Sequence, residues 1–111
     1  MNITQKQFKR CDLISVEGRI DSATAPQLAE ALEAITAAGR YKIILDCCNV
    51  SFISSAGLRV LVNTQKNCKR YNRGELVLAQ IPENIRSTLD LVGFTELFKI
   101  FNDTLSAVGY F

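Results

Sequence analysis

Two short runs limit what this chain can fold into. YKIILDCC, residues 41–48, carries Ile43, Ile44 and Leu45 in succession, and ELVLAQ, residues 75–80, carries Leu76, Val77, Leu78 and Ala79. A strand with one face in water alternates apolar and polar residues; a strand covered on both faces does not. Both runs are flanked by turn residues, and a stretch of helical periodicity separates them. Strand, helix, strand leaves a crossover long enough for parallel pairing. The pattern predicts a parallel pair at the centre of a sheet with helices packed against it.

The remaining elements fall in around that pair. Residues 3 to 8 read as a short edge strand. CDLISVEG, residues 11–18, sets Leu13 and Ser15 against Ile14 and Val16 and ends at Gly18, so it reads as a second strand in a hairpin with the first. In DSATAPQLAEALEAITAAG, Leu28, Ala31, Leu32 and Ile35 recur on one face of a helix. Thr24 and Gln27 have capping-box spacing, Pro26 lies in the first turn, and Gly39 suits the position just past the end. A second helix is expected from about 56 to 71, with Leu58, Leu61, Val62, Gln65 and Cys68 inward. Pro82 opens a third, PENIRSTLDLVG, with Ile85, Leu89 and Val92 inward and Gly93 at its end. FTELFKIF, residues 94–101, is expected to end in a short strand near 98–101. Asp103 is expected to cap a last turn or two of helix. The order β, β, α, β, α, β, α, β, α predicts a single α/β domain with a mixed sheet.

Composition removes several functions. The chain has no histidine, which excludes Ser-His and Cys-His nucleophilic pairs. Its four cysteines, at 11, 47, 48 and 68, form no CxxC pair, so no zinc or other metal site is expected. Neither a GxxxxGK[ST] loop nor a GxGxxG fingerprint is present, and no cofactor is expected. The net charge of +2 is too small to point to nucleic acid, and the cluster Lys66, Lys69, Arg70 and Arg73 reads as a solvated helix face. MNITQKQFKR lacks the apolar stretch of a signal peptide, and no run is long enough for a membrane span. The expectation is a cytoplasmic protein with reduced thiols, not an enzyme, that stands alone as a monomer.

One stretch stands out against this background. In NVSFISSAGLRVLV, residues 49–62, two serines sit where a strand hands over to a helix. Ser54 or Ser55 suits a helix cap, which is worth about 1 kcal/mol. Gly57 lets the turn pack tightly. The same geometry suits modification. A phosphate at a helix N-terminus meets unpaired N–H groups and the positive end of the dipole. It brings about −1.5 to −2 charges to a surface that had none. Residue chemistry leaves the two readings open.

The pattern resembles the STAS domain, the anti-sigma factor antagonist family. SFISSAGLRVLV after KIILDCCNV is similar to that family's strand, Asp-Ser-Ser-Gly-Leu turn and helix. GRIDSATAPQL resembles its Gly-x-(Leu/Ile)-Asp segment, and AQIPENIRSTLDLVGFTELFKIF resembles its closing segment. The resemblance covers most of the chain and implies an α/β fold with a four- to five-stranded mixed β-sheet flanked by about four α-helices. It also implies a partner switch that regulates transcription. The unmodified domain binds an anti-sigma factor that is also a serine kinase; the kinase phosphorylates the domain with ATP, the partners separate, and a serine phosphatase resets the system.

Carried onto this sequence, the resemblance implies Ser55 as phosphoacceptor, with Ser54 as second choice. Asp21 matches the aspartate near that serine, and Gly57 and Leu58 match the residues that start the helix. Ser54 stands where the family usually has aspartate, and Ala56 where it has a second serine. Ser22, Thr24, Ala56 and Arg59 are candidate surroundings of the acceptor; Arg59 reads either as a contact for a partner or the phosphate or as an ordinary exposed helix charge. Phe52 and Ile53 are candidates for the docking surface, with core packing expected for at least one. Two other functions compete: a constitutive scaffold or regulatory subunit of a signalling or transport assembly, whose serines only cap a helix, and an enzyme of unrecognised type.

Overall fold

The computed structural model describes residues 1–111. Five strands make one mixed sheet in the chain order β1-β2-β3-β4-β5. β1 (Asn2–Gln7) and β2 (Asp12–Ile20) form an antiparallel hairpin. β3 (Lys42–Ile53) and β4 (Glu75–Ala79) are the two apolar runs, and β2, β3, β4 and β5 (Ile100–Phe101) pair in parallel. The helices α1 (Ala25–Ala37), α2 (Ser55–Lys69), α3 (Glu83–Leu91) and α4 (Thr104–Tyr110) follow β2, β3, β4 and β5 in turn.

The successive apolar residues of β3 and β4 divide between two cores, as period-2 side chains must. Ile43, Leu45, Leu76 and Leu78 face a large core with Leu28, Leu32 and Ile35 of α1, Leu58 and Leu61 of α2, and Ile85 and Leu89 of α3. Ile44, Val77 and Ala79 face a smaller core closed by Ala107 of α4. Cys47 is buried and its neighbour Cys48 exposed, on opposite faces of β3. Each wholly buried Leu or Ile contributes roughly 1.5–3 kcal/mol over an exposed one.

Helix ends follow local chemistry. Gly39, with φ +82°, closes α1: its N–H reaches Thr36 O at 2.9 Å and the Arg40 N–H reaches Ile35 O at 3.3 Å. Asp103 caps α4 by accepting the Ser106 N–H at 2.6 Å. The Thr24–Gln27 capping box does not form. Thr24 turns its hydroxyl back toward the end of β2, where it donates to Arg19 O at 2.8 Å and accepts the Asp21 N–H at 2.9 Å.

Other boundaries also differ from expectation. β2 runs past Gly18 to Ile20, and β3 runs past Cys48 to Ile53, because Gly18 pairs with Val50 after one register shift and Arg19 and Ile20 pair with Phe52 and Ile53 after a second. Val92 lies beyond the last turn of α3 and is 45% exposed rather than inward. α2 ends at Lys69 and continues as a 3-10 turn, Arg70–Asn72. The strand expected at 98–101 is only Ile100–Phe101, preceded by a 3-10 turn at Thr95–Leu97.

Candidate functional site

β2 and β3 are parallel neighbours and end level, Ile20 against Ile53. Their following residues, Asp21 and Ser54, therefore emerge side by side at the carboxyl edge of the sheet. The Ser54 N–H donates to Ile20 O at 2.8 Å and ties the two loops together. α2 then leaves the sheet at this point.

Gly57 permits that departure. A Cβ there would lie 2.6 Å from Ile20 Cγ2, 2.8 Å from Ile53 Cγ1 and 3.2 Å from Ile20 O. Two of these separations are far inside van der Waals contact, so the first turn of α2 sits as close to the strand ends as a chain can. Leu58 anchors the turn in the large core.

The two serines have different surroundings. Ser54 is the N-cap of α2, in extended backbone, and its hydroxyl accepts the Gly57 N–H at 3.3 Å. Ser55 is the first helical residue; it is exposed, and its hydroxyl makes no hydrogen bond. The N–H groups of the first turn stand beside it, and no acidic residue occupies that turn. Ala56 is half-buried against the large core.

Asp21 is held in place by the α1 approach. Its carboxylate accepts the Thr24 N–H at 3.1 Å and the Ala23 N–H at 3.0 Å, and the Arg19 guanidinium lies 3.8 Å away. The Thr24 N–H chiefly, with the Ala23 N–H, the Thr24 hydroxyl and the Arg19 charge, pulls its pKa below the ordinary aspartate value, against a smaller opposing effect of desolvation. Ser22 is exposed, and its hydroxyl makes no hydrogen bond. Ile53 is core, while Phe52 is 39% exposed with the Arg19 guanidinium 4.3 Å over its ring. That stacked pair beside Asp21 escaped the sequence reading, because only the register shift brings Arg19 opposite Phe52. Arg59 is exposed, one turn along α2 from Ser55.

The structure thus gathers Asp21, Thr24, Ser54, Ser55, Ala56, Gly57 and Arg59 at one end of the sheet, with Ser22 on the rim. No group of three or more His, Cys, Asp or Glu side chains converges to hold a metal ion. No helix is long and apolar enough to cross a membrane.

Comparison with known proteins agrees with this architecture. The family model for the STAS domain matches residues 2–107. A Bordetella bronchiseptica protein, BtrV, named as a candidate anti-sigma factor antagonist, is 31% identical over 111 residues, covering 100% of this chain and 95% of that protein. The anti-sigma-B factor antagonist of Listeria monocytogenes is 33% identical over 89 residues, covering 80% of this chain and 77% of that protein. Among solved structures, an anti-sigma factor antagonist candidate from Thermotoga maritima superimposes with a TM-score of 0.90 at 20% identity, over 97% of this chain and 92% of that one. The phosphorylated form of the Bacillus cell fate determinant SpoIIAA gives 0.76 at 13% identity, over 99% of this chain and 100% of that one. These last two likenesses concern the fold. With the family model spanning nearly every residue and BtrV matching end to end, this chain belongs to the STAS domain family.

Proposed function

We propose that this chain is an anti-sigma factor antagonist working as a phosphorylation-controlled partner switch. Its unmodified form binds an anti-sigma factor that is also a serine kinase, and its form phosphorylated on Ser55 releases that partner. The observation that carries the assignment is the contrast between the two serines. The Ser54 hydroxyl is engaged at the helix cap, whereas the Ser55 hydroxyl is exposed and unengaged. The names of the sequence relatives support the antagonist role itself.

In this scheme the chain is a ligand and a substrate rather than a catalyst. The Ser55 Oγ attacks the γ-phosphorus of ATP held by the kinase. The new O–P bond forms, the bond to the ADP oxygen breaks, and the hydroxyl proton passes to a base on the kinase. The phosphate lands beside the first-turn N–H groups of α2, where an anion is stabilised, so the fold survives while the surface changes sign. A serine phosphatase restores the hydroxyl by hydrolysis. ATP and sigma factors put this cycle in the cytoplasm.

The test is intact mass and fragmentation of the protein purified from its own cells, with Ser55→Ala as control. One phosphate on Ser55, absent from Ser55→Ala, together with loss of the co-purifying partner in Ser55→Asp, is the expected result. An unmodified chain under every growth condition, with Ser55→Asp still bound to its partner, sinks the switch and leaves a constitutive scaffold.

A further inference from the structure

An open groove runs along α2 beside the end of α3. Leu58, Val62, Val92 and Phe94 give it apolar walls, Ser55 stands at one end, and Arg59 and Lys66 form its rim. No carboxylate lines it. Arg59 takes part in neither of the chain's two ion pairs, Arg19–Asp21 and Arg40–Asp12. A groove with an apolar floor and an uncompensated cationic rim fits a partner segment that is apolar on one side and acidic on the other.

Arg59 follows Ser55 by four residues, so their side chains share a helix face one turn apart. Helical side chains lean toward the N-terminus, which aims the long arginine stem back at Ser55. A phosphate there presents oxygens that a guanidinium fork can grip in bidentate fashion. Arg59 and Lys66 together carry two positive charges, and the phosphate adds about −1.5 to −2, enough to cancel the rim.

We propose that Arg59 is the residue through which phosphate on Ser55 acts. In the unmodified chain Arg59 meets an acidic segment of the kinase partner seated in the α2–α3 groove. In the modified chain the phosphate takes Arg59 for itself, and the groove loses its attraction for that segment. This inference rests on the reading of Ser55 as phosphoacceptor.

The full chain is prepared with phosphoserine incorporated at position 55 during translation, which removes any dependence on the native kinase. Phosphorus NMR follows the phosphate through its second ionisation in the parent chain and in Arg59→Gln. The expected result is a midpoint lower in the parent by about 0.3 pH unit or more, the size that an exposed charge pair one helical turn apart gives. Arg59→Lys is expected to recover part of the shift. Coincident titration curves overturn the proposal.

Binding of the kinase that co-purifies with the unmodified chain supplies the second readout. Arg59→Glu is expected to weaken that complex about tenfold or more. Phosphorylation is expected to weaken binding less in Arg59→Gln than in the parent, and strictly additive losses overturn the competition. The outcomes separate cleanly. Phosphate found on Ser55 in cells with coincident titrations removes Arg59 and keeps the switch. A shifted titration with no phosphate in cells keeps the Arg59 contact and removes the switch.

Discussion

Two adjacent hydroxyls at the β3–α2 junction differ in what they hold. Ser54 satisfies one of the N–H groups that a helix start leaves unpaired, at Gly57, while Ser55 satisfies none. Ser54→Ala is therefore expected to cost about 1 kcal/mol of stability, and Ser55→Ala less than about 0.5 kcal/mol. Urea unfolding of the two variants checks this, and equal losses would refute the division of labour. Asp21 carries a pH signature. Its pKa is lower in the folded chain than the ordinary 3.8, so the folded state binds its proton more weakly than the unfolded state. The stabilisation is then full at neutral pH and is lost as the pH falls through the acid range to the folded-state value. Asp21→Asn is expected to be less stable than the parent at neutral pH, with the two urea midpoints converging in acid. A constant gap across the pH range would show that the carboxylate charge is not what matters.

At the scale of elements, one side chain substitutes for a strand. β5 pairs only with Leu78 and Ala79 of β4, so the same edge at Leu76, two residues earlier, has no strand beside it. Gln65 of α2 fills that place. Its amide accepts the Leu76 N–H at 2.7 Å and donates to Leu76 O at 3.0 Å and Leu97 O at 2.7 Å. Gln65→Leu keeps the volume and leaves these buried groups unpaired, so a loss of about 2–4 kcal/mol is expected in denaturant melts. A near-neutral result would mean that water enters and replaces the amide. The sequence signals the inward face of α2 at Gln65 by position, but not the partner, because the contact depends on how short β5 is. Similar limits explain the other differences. β3 and β4 are legible because consecutive apolar residues require two cores. The end of β3 is not, because Asn49 and Ser51 interrupt the apolar run while register shifts keep the pairing. The capping box fails because Asp21 and Thr24 bond to one another across the preceding loop. The serine pair is legible as a strand-to-helix junction, and the structure adds which hydroxyl is already engaged there.

Across the whole molecule, the candidate site and the Asp12–Arg40 ion pair lie at opposite ends of β2. Asp21 follows its last residue, and Asp12 is its first. Asp12 is fully buried, and its Oδ2 accepts the Arg40 Nε–H at 2.7 Å. The same guanidinium donates to Phe8 O at 2.7 Å and Cys11 O at 3.2 Å, so one residue in the α1–β3 loop fastens the β1–β2 hairpin to the parallel part of the sheet. No sequence pattern announces this pair, because Asp12 and Arg40 meet only once β2 and β3 are side by side. A buried ion pair adds little over an apolar substitute, but losing one partner strands the other charge. Arg40→Met is expected to cost about 3–5 kcal/mol at neutral pH, and Asp12→Asn with Arg40→Met less than that single change. The distance between the ends of β2 makes a further demand. Under the proposed switch, Arg40→Met is expected to leave unchanged the factor by which Ser55→Asp weakens partner binding, since changes at separated sites without shared contacts add. Binding measured for the four combinations, at a temperature where every variant is folded, decides it. A factor that shrinks in Arg40→Met would mean that the clamp end and the Ser55 end communicate through the sheet, and that the proposed switch is not confined to the surface around Ser55.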